Sequence, residues 1–485
     1  MLVYGLKLSL LIFLSISCFV VVNKKIFFSG VGKRVIIFWL SMLPFLFLIN
    51  NELLVLLVAI PLLAALNKGH SPVIVIVFFL AVVSAVPDWV EYRMSAPGIS
   101  YLLLLSFDKV AVLSLLAPLF LLVFKQHRTP LNTADFFVIG FVVLTILLTF
   151  REGKLTTVLR YVVDVMLIFI IPYFVISRVI RTEKDLHYCA LAFLMVAILL
   201  SAVLLISQLV QIDIYEALNP RSRYNVVREF RGGFLRLSGP LSGVLFSVLM
   251  LAGVFALDSL KKYRLIATLM YWPLIGLFTL CVLFGGSRAG LFSFMLGVGL
   301  YVYFLKLEGV QRVFCCVLLV LLVVLEFTLE LTSFFVYEDE YGTFDYRSEL
   351  YDTSFLYLQQ YPLFGSQSYI ESGYFDHLVT GLGIIDIVSA YLQVALQYGY
   401  VGLFLFVSMY LSVIVPLFKK ILSGYDVEND RDKYTVMYLI LNIMMAFILV
   451  TTSMISLFPI LMMVNLAIGR SLLSAPVGYE SPTKG

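Results

Sequence analysis

Charged residues are scarce in this chain. Of its 485 residues only 13% are charged, whereas 61% are hydrophobic. A soluble protein with so few charged residues could not cover its surface, so a soluble globular fold is excluded and the lipid bilayer is the first expected partner. The formal net charge is only +4 and no basic tail is present, which excludes nucleic acid as a partner.

Cysteine is also scarce, and its spacing matches neither a disulfide framework nor a metal site. All of the cysteines fall within apolar runs, so we interpret them as small core residues. They are Cys18, Cys189, Cys281, Cys315 and Cys316. From the cysteine spacing we therefore expect neither a disulfide framework nor a metal site.

Long apolar runs are abundant, and many are long enough to cross a hydrocarbon core of about 30 Å. They recur along the whole chain without an internal repeat. The sequence therefore predicts an all-α polytopic membrane protein, with about 14–15 membrane helices in a single transmembrane domain over residues 1–485. The predicted helices are 4–22, 34–49, 52–67, 72–87, 107–124, 134–150, 158–178, 187–209, 240–257, 264–284, 288–305, 313–332, 398–418, 433–452 and 456–472.

Short loops between these helices carry most of the lysines and arginines. If successive helices cross the membrane in alternating directions, the basic short loops that contain Lys261 and Lys419 fall on the same side. Basic short loops mark the cytoplasmic side of a membrane protein. The sequence therefore predicts that two longer loops, 211–239 and 331–386, face the periplasm.

The loop 211–239 is basic although it is predicted to be periplasmic. It holds five arginines against three acidic residues, and the arginines are Arg221, Arg223, Arg228, Arg231 and Arg236. One interpretation is a solvated loop whose charge the insertion machinery tolerates. The other is an anion site, because the guanidinium group binds phosphate oxygens in a planar, bidentate way.

The loop 331–386 is acidic and rich in tyrosine, and Arg347 is its only arginine or lysine. Carboxylates accept hydrogen bonds from hydroxyl groups, and aromatic rings pack on the apolar faces of sugars, so the composition favours a carbohydrate ligand. Asp345 and Tyr346 in this loop, and Tyr391 after it, are candidate glycan-binding residues. A second, compatible interpretation is a soluble acidic cap with a small core of its own.

The run "FGGSRAGLFSF", from Phe284, places a permanent charge between two apolar segments. Ser287 is a predicted helix N-cap and Arg288 begins the helix, whose N-terminus adds partial positive charge. An ionisable residue at such a position is a candidate functional residue. The alternative is an interfacial arginine that extends to the lipid headgroups.

Four runs together resemble the superfamily of O-antigen ligases and Wzy-type polysaccharide polymerases. They are "RLSGPLSGVLFSVLM" from Arg236, "GGSRAGLFSFMLG", "YRSELYDTSFLYLQQYPLFGSQ", and "IIDIVSAYLQVALQYGYVGLFLF" from Ile384. The first two resemble the superfamily's arginine-marked helix starts, and the third resembles its arginine-led helix. The fourth resembles its segment "hNxyLqxxxexGlxGlxlf". The resemblance covers roughly Arg236 to Phe406.

This resemblance implies a GT-C-like glycosyltransferase of the bacterial inner membrane, with its active site facing the periplasm. Its implied donor is an undecaprenyl-diphosphate-linked oligosaccharide, and no metal, nucleotide or other cofactor is needed because arginines stabilise the diphosphate. The implied diphosphate-binding residues are Arg288, Arg347, Arg236 and Arg231. A chain-length regulator and other polysaccharide-export proteins are its further implied partners.

One departure from the superfamily pattern bears on the reaction. Ligases carry His-Asn where this chain has Val388 and Ser389, whereas the pattern from Asp386 to Gln393 resembles exopolysaccharide polymerases. We therefore predict a polymerase that joins lipid-linked repeat units, with a ligase that transfers glycan to lipid A core as the alternative. A lipid-diphosphate-oligosaccharide transporter without catalysis is a second alternative.

Glycosyl transfer needs a base near the acceptor hydroxyl. Asp386, at the predicted junction of the acidic loop and the next helix, is the first candidate for this catalytic base, and His377 is the second. The competing interpretations are an ordinary helix N-cap for Asp386 and an ordinary loop residue for His377.

Overall fold

The structure is a computed structural model. It describes residues 30–48, 51–87, 90–96, 99–126, 130–215, 230–231, 234–237, 241, 243–261, 268–312, 343–380, 383–426, 428–454 and 457–474. The predicted helices 4–22 and 313–332 lie outside these ranges, as does most of the basic loop 211–239.

The described part of the chain is dominated by helices. In chain order they are α1 Gly30–Leu48, α2 Glu52–Asn67, α3 Pro72–Val83, α4 Phe107–Ala111, α5 Ala117–Gln126, α6 Thr133–Glu152, α7 Leu155–Val165, α8 Ile171–Val179, α9 Glu183–Val210, α10 Gly243–Lys261, α11 Thr268–Phe284, α12 Arg288–Leu305, α13 Thr343–Gln360, α14 Ala390–Leu422, α15 Asp430–Ile448 and α16 Phe458–Leu473. π-helical turns at Val112–Leu116 and Met166–Ile170 join α4 to α5 and α7 to α8.

Six of the described helices are long and apolar enough to cross a membrane. They are Thr133–Arg151, Leu155–Val179, Glu183–Val210, Val244–Lys261, Arg288–Leu305 and Ala390–Leu422. Shorter apolar helices, such as Glu52–Asn67 and Phe458–Leu473, pack among them. The prediction of an all-α polytopic membrane protein is therefore confirmed, while the count of 14–15 helices stays a prediction.

Two antiparallel strands are the main element that the apolar pattern missed. β1 (Glu91–Ala96) pairs with β2 (Ile99–Ser106), with Glu91 opposite Ser106 and Met94 opposite Leu103. A second, short hairpin joins β3 (Phe230–Arg231) to β4 (Phe234–Leu235).

Short basic segments meet at one end of the bundle, which we call the basic end. There Asp135 is fully buried and accepts hydrogen bonds from Arg178 at 2.7 and 3.0 Å and from Tyr173 at 2.9 Å. Asp258 similarly pairs with Lys306 at 3.1 Å and Lys433 at 3.2 Å. A buried carboxylate is tolerated only when it is paired and hydrogen-bonded, so these contacts fix the helix ends to one another.

The opposite end of the bundle, which we call the far end, carries the segment 343–389. The described part of the predicted loop 331–386 contains α13 and two 3-10 turns, Tyr369–Ser372 and Asp376–Leu378, and α13 covers the arginine-led run that resembles a helix of the superfamily. This segment packs around a hydrophobic cluster of its own, which agrees with the interpretation of a cap with a small core. We call residues 343–389 the cap. The fully or nearly fully buried members of the cluster include Leu350, Tyr357, Leu358, Phe375 and Leu396.

The cap is joined to the bundle by a break in α14 at Gly399. The backbone there has φ +66° and ψ −170°, which is not helical. The N–H groups of Tyr400 and Val401 donate to the carbonyls of Pro362 and Leu363 at 2.8 and 3.2 Å. The turn after α13 thus supplies acceptors for two N–H groups that the break releases.

Glycine is required on both sides of this junction. Gly365 has φ +52°, and a Cβ atom there would collide with the carbonyl oxygen of Leu396. A Cβ atom on Gly399 would collide with the backbone of Leu363. Positive φ and close backbone approach both favour glycine. The two glycines therefore interlock, and they fix the cap on the half-helix that starts at Ala390.

Candidate active site

Arg236 and Arg288, two of the predicted diphosphate-binding residues, lie at one corner of the far end. The N–H of Leu237 donates to the carbonyl of Phe284 at 3.0 Å, and the rings of Phe234 and Phe284 are 5.5 Å apart. The β3–β4 hairpin therefore docks on the end of α11, immediately before the turn that leads to Arg288. The stretch that contains Arg236 and the stretch that contains Arg288 are thus brought together by a main-chain hydrogen bond.

The turn that leads to Arg288 has the predicted geometry. Gly286 has φ +60°, and the side chain of Ser287 accepts a hydrogen bond from the N–H of Gly290 at 3.1 Å. The prediction that Ser287 is the N-cap of this helix is confirmed. Arg288 is the first residue of α12, where the helix dipole adds positive potential, and its side chain is exposed.

The other two predicted diphosphate-binding arginines differ in their position relative to this corner. Arg231 lies in β3, and its side chain is outside the described part of the structure. Arg347 is exposed near the start of α13, on the cap rather than on the hairpin corner. The four candidates therefore come from the corner and from the cap, not from one loop.

Asp386, the first candidate base, is held by its backbone. The hydroxyl of Tyr346 donates to the carbonyl of Asp386 at 3.0 Å and accepts from its N–H at 2.9 Å. Burial raises the pKa of Tyr346 and outweighs the hydrogen bond with the backbone of Asp386, which lowers it, so the phenol keeps the proton that it donates. The carboxylate itself stays exposed to solvent.

The interpretation of Asp386 as a helix N-cap is wrong. α14 begins at Ala390 rather than at residue 398, and its N-cap is Ser389, whose hydroxyl accepts from the N–H of Leu392 at 3.4 Å. The N–H of Ala390 donates to the carbonyls of Leu449 and Thr452 at 2.9 and 2.8 Å. The capping role therefore belongs to Ser389.

His377, the second candidate base, has two polar neighbours on α13. Its Nε2 atom lies 3.5 Å from a carboxylate oxygen of Glu349 and 3.3 Å from the hydroxyl of Thr353. A carboxylate beside an imidazole can fix the orientation of the ring. The ring of His377 therefore has two polar neighbours on α13, and its role as a base stays a prediction.

One face of α13 positions both candidates. Tyr346, Glu349 and Thr353 are three and four residues apart, which places them on the same side of a helix. Tyr346 holds Asp386, and Glu349 and Thr353 hold His377. We did not predict Glu349 or Thr353 as site residues from the sequence. Their helical spacing within the arginine-led run was the signal that could have identified them.

The arginine corner and the cap lie at the same end of the bundle. The rings of Phe292, one turn after Arg288, and Phe447 are 5.6 Å apart. Phe447 lies at the end of α15, just before Leu449, whose carbonyl accepts from Ala390. The end of α15 therefore connects α12 to the segment that carries Asp386.

The three candidate glycan-binding residues have different surroundings. Asp345 is exposed at the start of α13. The hydroxyl of Tyr346 is engaged with the backbone of Asp386, so its first role in this structure is positional. Tyr391 lies in the bundle, where its hydroxyl donates to the carbonyl of Ala446 at 2.9 Å and its ring packs on Phe406.

Comparison with known proteins adds one finding to this geometry. The family model described as O-antigen ligase matches residues 273–407, less than a third of the chain. The resemblance to the superfamily of O-antigen ligases and Wzy-type polymerases is thereby confirmed for this segment. The matched segment contains Arg288, Arg347, His377 and Asp386. A comparison with curated proteins gave no match.

Proposed function

We propose that the chain is a polysaccharide polymerase of the bacterial inner membrane. It would join undecaprenyl-diphosphate-linked oligosaccharide repeat units at the periplasmic side, where the far end of the bundle would lie. The observation that carries this proposal is the placement of an exposed carboxylate, Asp386, at the same end of the bundle as the arginine corner. The family match at residues 273–407 includes both Asp386 and Arg288.

The reaction that we propose is a single glycosyl transfer. A hydroxyl oxygen of the acceptor repeat unit forms a bond to the anomeric carbon of the donor glycan. The bond between that carbon and the diphosphate oxygen breaks, and the lipid diphosphate leaves with the electron pair. The carboxylate of Asp386 takes the proton of the acceptor hydroxyl. Tyr346 would keep the carboxylate in place by holding the peptide groups on either side of its Cα atom.

Charge develops on the diphosphate as it leaves, and fixed positive groups stabilise it. In the proposed site these are the guanidinium groups of Arg288 and Arg236 together with the N-terminus of α12. Arg347 and Arg231 are assigned to the same role on the basis of the motifs. Arginine suits this role because its planar group binds two phosphate oxygens at once.

The alternative is a ligase that transfers glycan to lipid A core, and the match to a family described as O-antigen ligase favours it. Two observations favour the polymerase. At the positions where ligases carry His-Asn, Val388 packs against the core of the cap and Ser389 caps α14. Neither side chain is placed to act as a base, so His377 or Asp386 would have to replace the histidine of a ligase.

A transporter without catalysis is the remaining alternative. Transport would place charged binding residues near the middle of the membrane, between helices that break there. Here the break at Gly399 is filled by the turn 361–366, and the proposed site residues gather at the far end. This arrangement favours chemistry at a membrane surface.

The test is a reaction of the purified protein with a lipid-diphosphate-linked oligosaccharide. A polymerase would produce a ladder of longer lipid-linked glycans and release lipid diphosphate. A ligase would consume the same donor only when lipid A core is added. Translocation of the donor across proteoliposomes with neither product would contradict both enzymatic proposals.

A further inference from the structure

Four large apolar side chains are exposed near the end of α13 and in the turn after it. Phe355 is 55% exposed, Leu356 59%, Leu363 60% and Phe364 43%. We call these four residues the apolar strip. Exposed apolar patches of this kind mark binding surfaces for proteins or membranes.

The exposed face of α13 changes its chemistry along the helix. Asp345, Ser348, Glu349 and Asp352 are exposed in the first half, and Phe355 and Leu356 follow within one turn of Asp352. A helix with this polarity can lie with one end in water and the other in an apolar phase. Charged side chains would oppose burial of the first half in lipid.

The turn that carries Leu363 and Phe364 lies at the end of a membrane-crossing helix. The guanidinium of Arg151, the last residue of the span in α6, donates to the carbonyl of Gly365 at 2.8 Å. The amide of Gln367 donates to the hydroxyl of Thr149 at 2.7 Å. The turn therefore lies level with the end of α6 at which its candidate membrane span stops.

The strip is also continuous with apolar surface that faces lipid. On α14 the exposed residues recur every three, four or seven positions, as on one face of a helix. They are Tyr400, Phe404, Leu411, Val415, Phe418 and Leu422. Leu363 lies directly beside this face, because its carbonyl accepts from the N–H of Val401. On α6, Leu147 and Phe150 are exposed one turn or less before Arg151.

We propose that the apolar strip inserts into the lipid leaflet at the far end of the bundle. The second half of α13 and the turn 361–366 then form an interfacial element, and the occupant of the surface is the acyl-chain boundary of that leaflet. Interfacial helices bury their apolar face about 5–10 Å below the headgroups. The acidic first half of α13, with Tyr346 and Glu349, stays in water above the lipid surface. This proposal is independent of the reaction proposed above.

The test compares single tryptophans in proteoliposomes. The three native tryptophans are replaced by phenylalanine in a common background, and Leu363→Trp and Leu356→Trp are compared with Ser348→Trp. Ser348 is an exposed residue two turns before Leu356 on the same helix, so it is a matched control. Size-exclusion chromatography and thermal unfolding verify that each variant folds like its background.

Lipids brominated near the carbonyl end of the acyl chains should strongly quench the emission of Leu363→Trp and Leu356→Trp. Acrylamide in the aqueous phase should quench these two variants several-fold less than Ser348→Trp. Equal acrylamide quenching of all three would overturn the proposal. Protection of Leu363→Trp from both quenchers would also overturn it, because a second copy of the chain or another protein would then cover the strip.

A second measurement uses the unaltered chain and so does not depend on the tryptophan-free background. Lipids with a photoreactive group on the acyl chain are cross-linked to the protein and mapped by mass spectrometry. The peptide that contains Leu363 and Phe364 should be labelled together with the exposed face of α14. Labelling of α14 without labelling of this peptide would contradict insertion of the strip.

Discussion

The two ends of the bundle hold charged residues in different ways. At the basic end, Asp135 and Asp258 are buried and their carboxylates are engaged by several donors. At the far end, the carboxylate of Asp386 is exposed, and the contacts hold its peptide groups instead. A charge that is engaged by the protein stabilises the fold. A charge whose backbone alone is held remains available to a ligand.

The largest expected effect tests the far end. Asp386→Asn keeps the size of the side chain but removes the basic carboxylate. Because Ser389 is the N-cap of α14, the substitution leaves the N-terminus of this helix intact, and we expect unchanged thermal unfolding. Loss of a general base lowers the rate by about 10²–10⁴-fold. Elongation of lipid-linked repeat units by the purified variant is the measurement.

His377→Ala is the companion variant, because His377 is the other candidate base. Full elongation by Asp386→Asn together with collapse of elongation in His377→Ala would move the base to His377. Glu349→Gln should then reproduce part of the loss, since Glu349 lies beside the imidazole.

The next effect tests the basic end. Asp135→Ala leaves Arg178 buried without its carboxylate partner, and breaking a buried ion pair costs about 3–5 kcal/mol. We expect a large fall in the unfolding temperature in detergent. Asp345→Ala, at an exposed position of α13, is the control and should change the free energy of unfolding by less than about 0.5 kcal/mol. Equal stability of the two variants would remove the contrast between the two ends.

Arg288 extends the comparison of the two ends, because it is an exposed charge at the far end. Removing one group that stabilises developing charge costs about 10²–10³-fold in rate. Arg288→Ala should therefore abolish most polymer formation without destabilising the protein. Arg288→Lys should also be poor, because a lysine does not bind two phosphate oxygens in one plane. Near-normal polymer from both variants would return Arg288 to an interfacial role.

The smallest effect concerns the residue that holds Asp386. Tyr346→Phe removes both hydrogen bonds to the backbone of Asp386 and keeps the aromatic ring. Each hydrogen bond contributes about 0.5–1.5 kcal/mol, so we expect a loss of elongation of roughly ten-fold to one hundred-fold. The loss should appear in kcat more than in KM, because the carboxylate is displaced rather than removed. An unchanged kcat would show that Tyr346 does not position the base.

The sequence predicted those features of the fold that depend on local pattern. α2 and α12 have the predicted bounds because apolar runs with clear ends suffice to define a membrane helix. Ser287 was predictable as the N-cap of α12 because a serine at a helix start bonds to the backbone of its own helix and needs no distant partner. The strands β1 and β2 were missed because their apolar stretch is short and their pairing depends on a turn.

The candidate site was harder to predict because its contacts join distant residues. Tyr346 and Asp386 are 40 residues apart, and nothing local links a phenol to that peptide group. α13 is not an apolar run, so only the resemblance of its arginine-led stretch to a helix of the superfamily indicated it, and its bounds were not predictable. The start of α14 at Ala390 was also missed, because Gly399 breaks the helix and the residues before the break form a separate half-helix. The N–H groups at this break are satisfied by the distant turn 361–366, which no local pattern indicates.

The interlock of Gly365 with Gly399 has a consequence for inheritance and for engineering. Each glycine leaves space that the backbone of the other segment fills, so neither segment fits a partner of different shape. A chimera that exchanges the cap between related proteins should therefore exchange residues 361–366 and 396–402 together. The two short segments form a single unit of recombination, although residues 367–395 separate them along the chain.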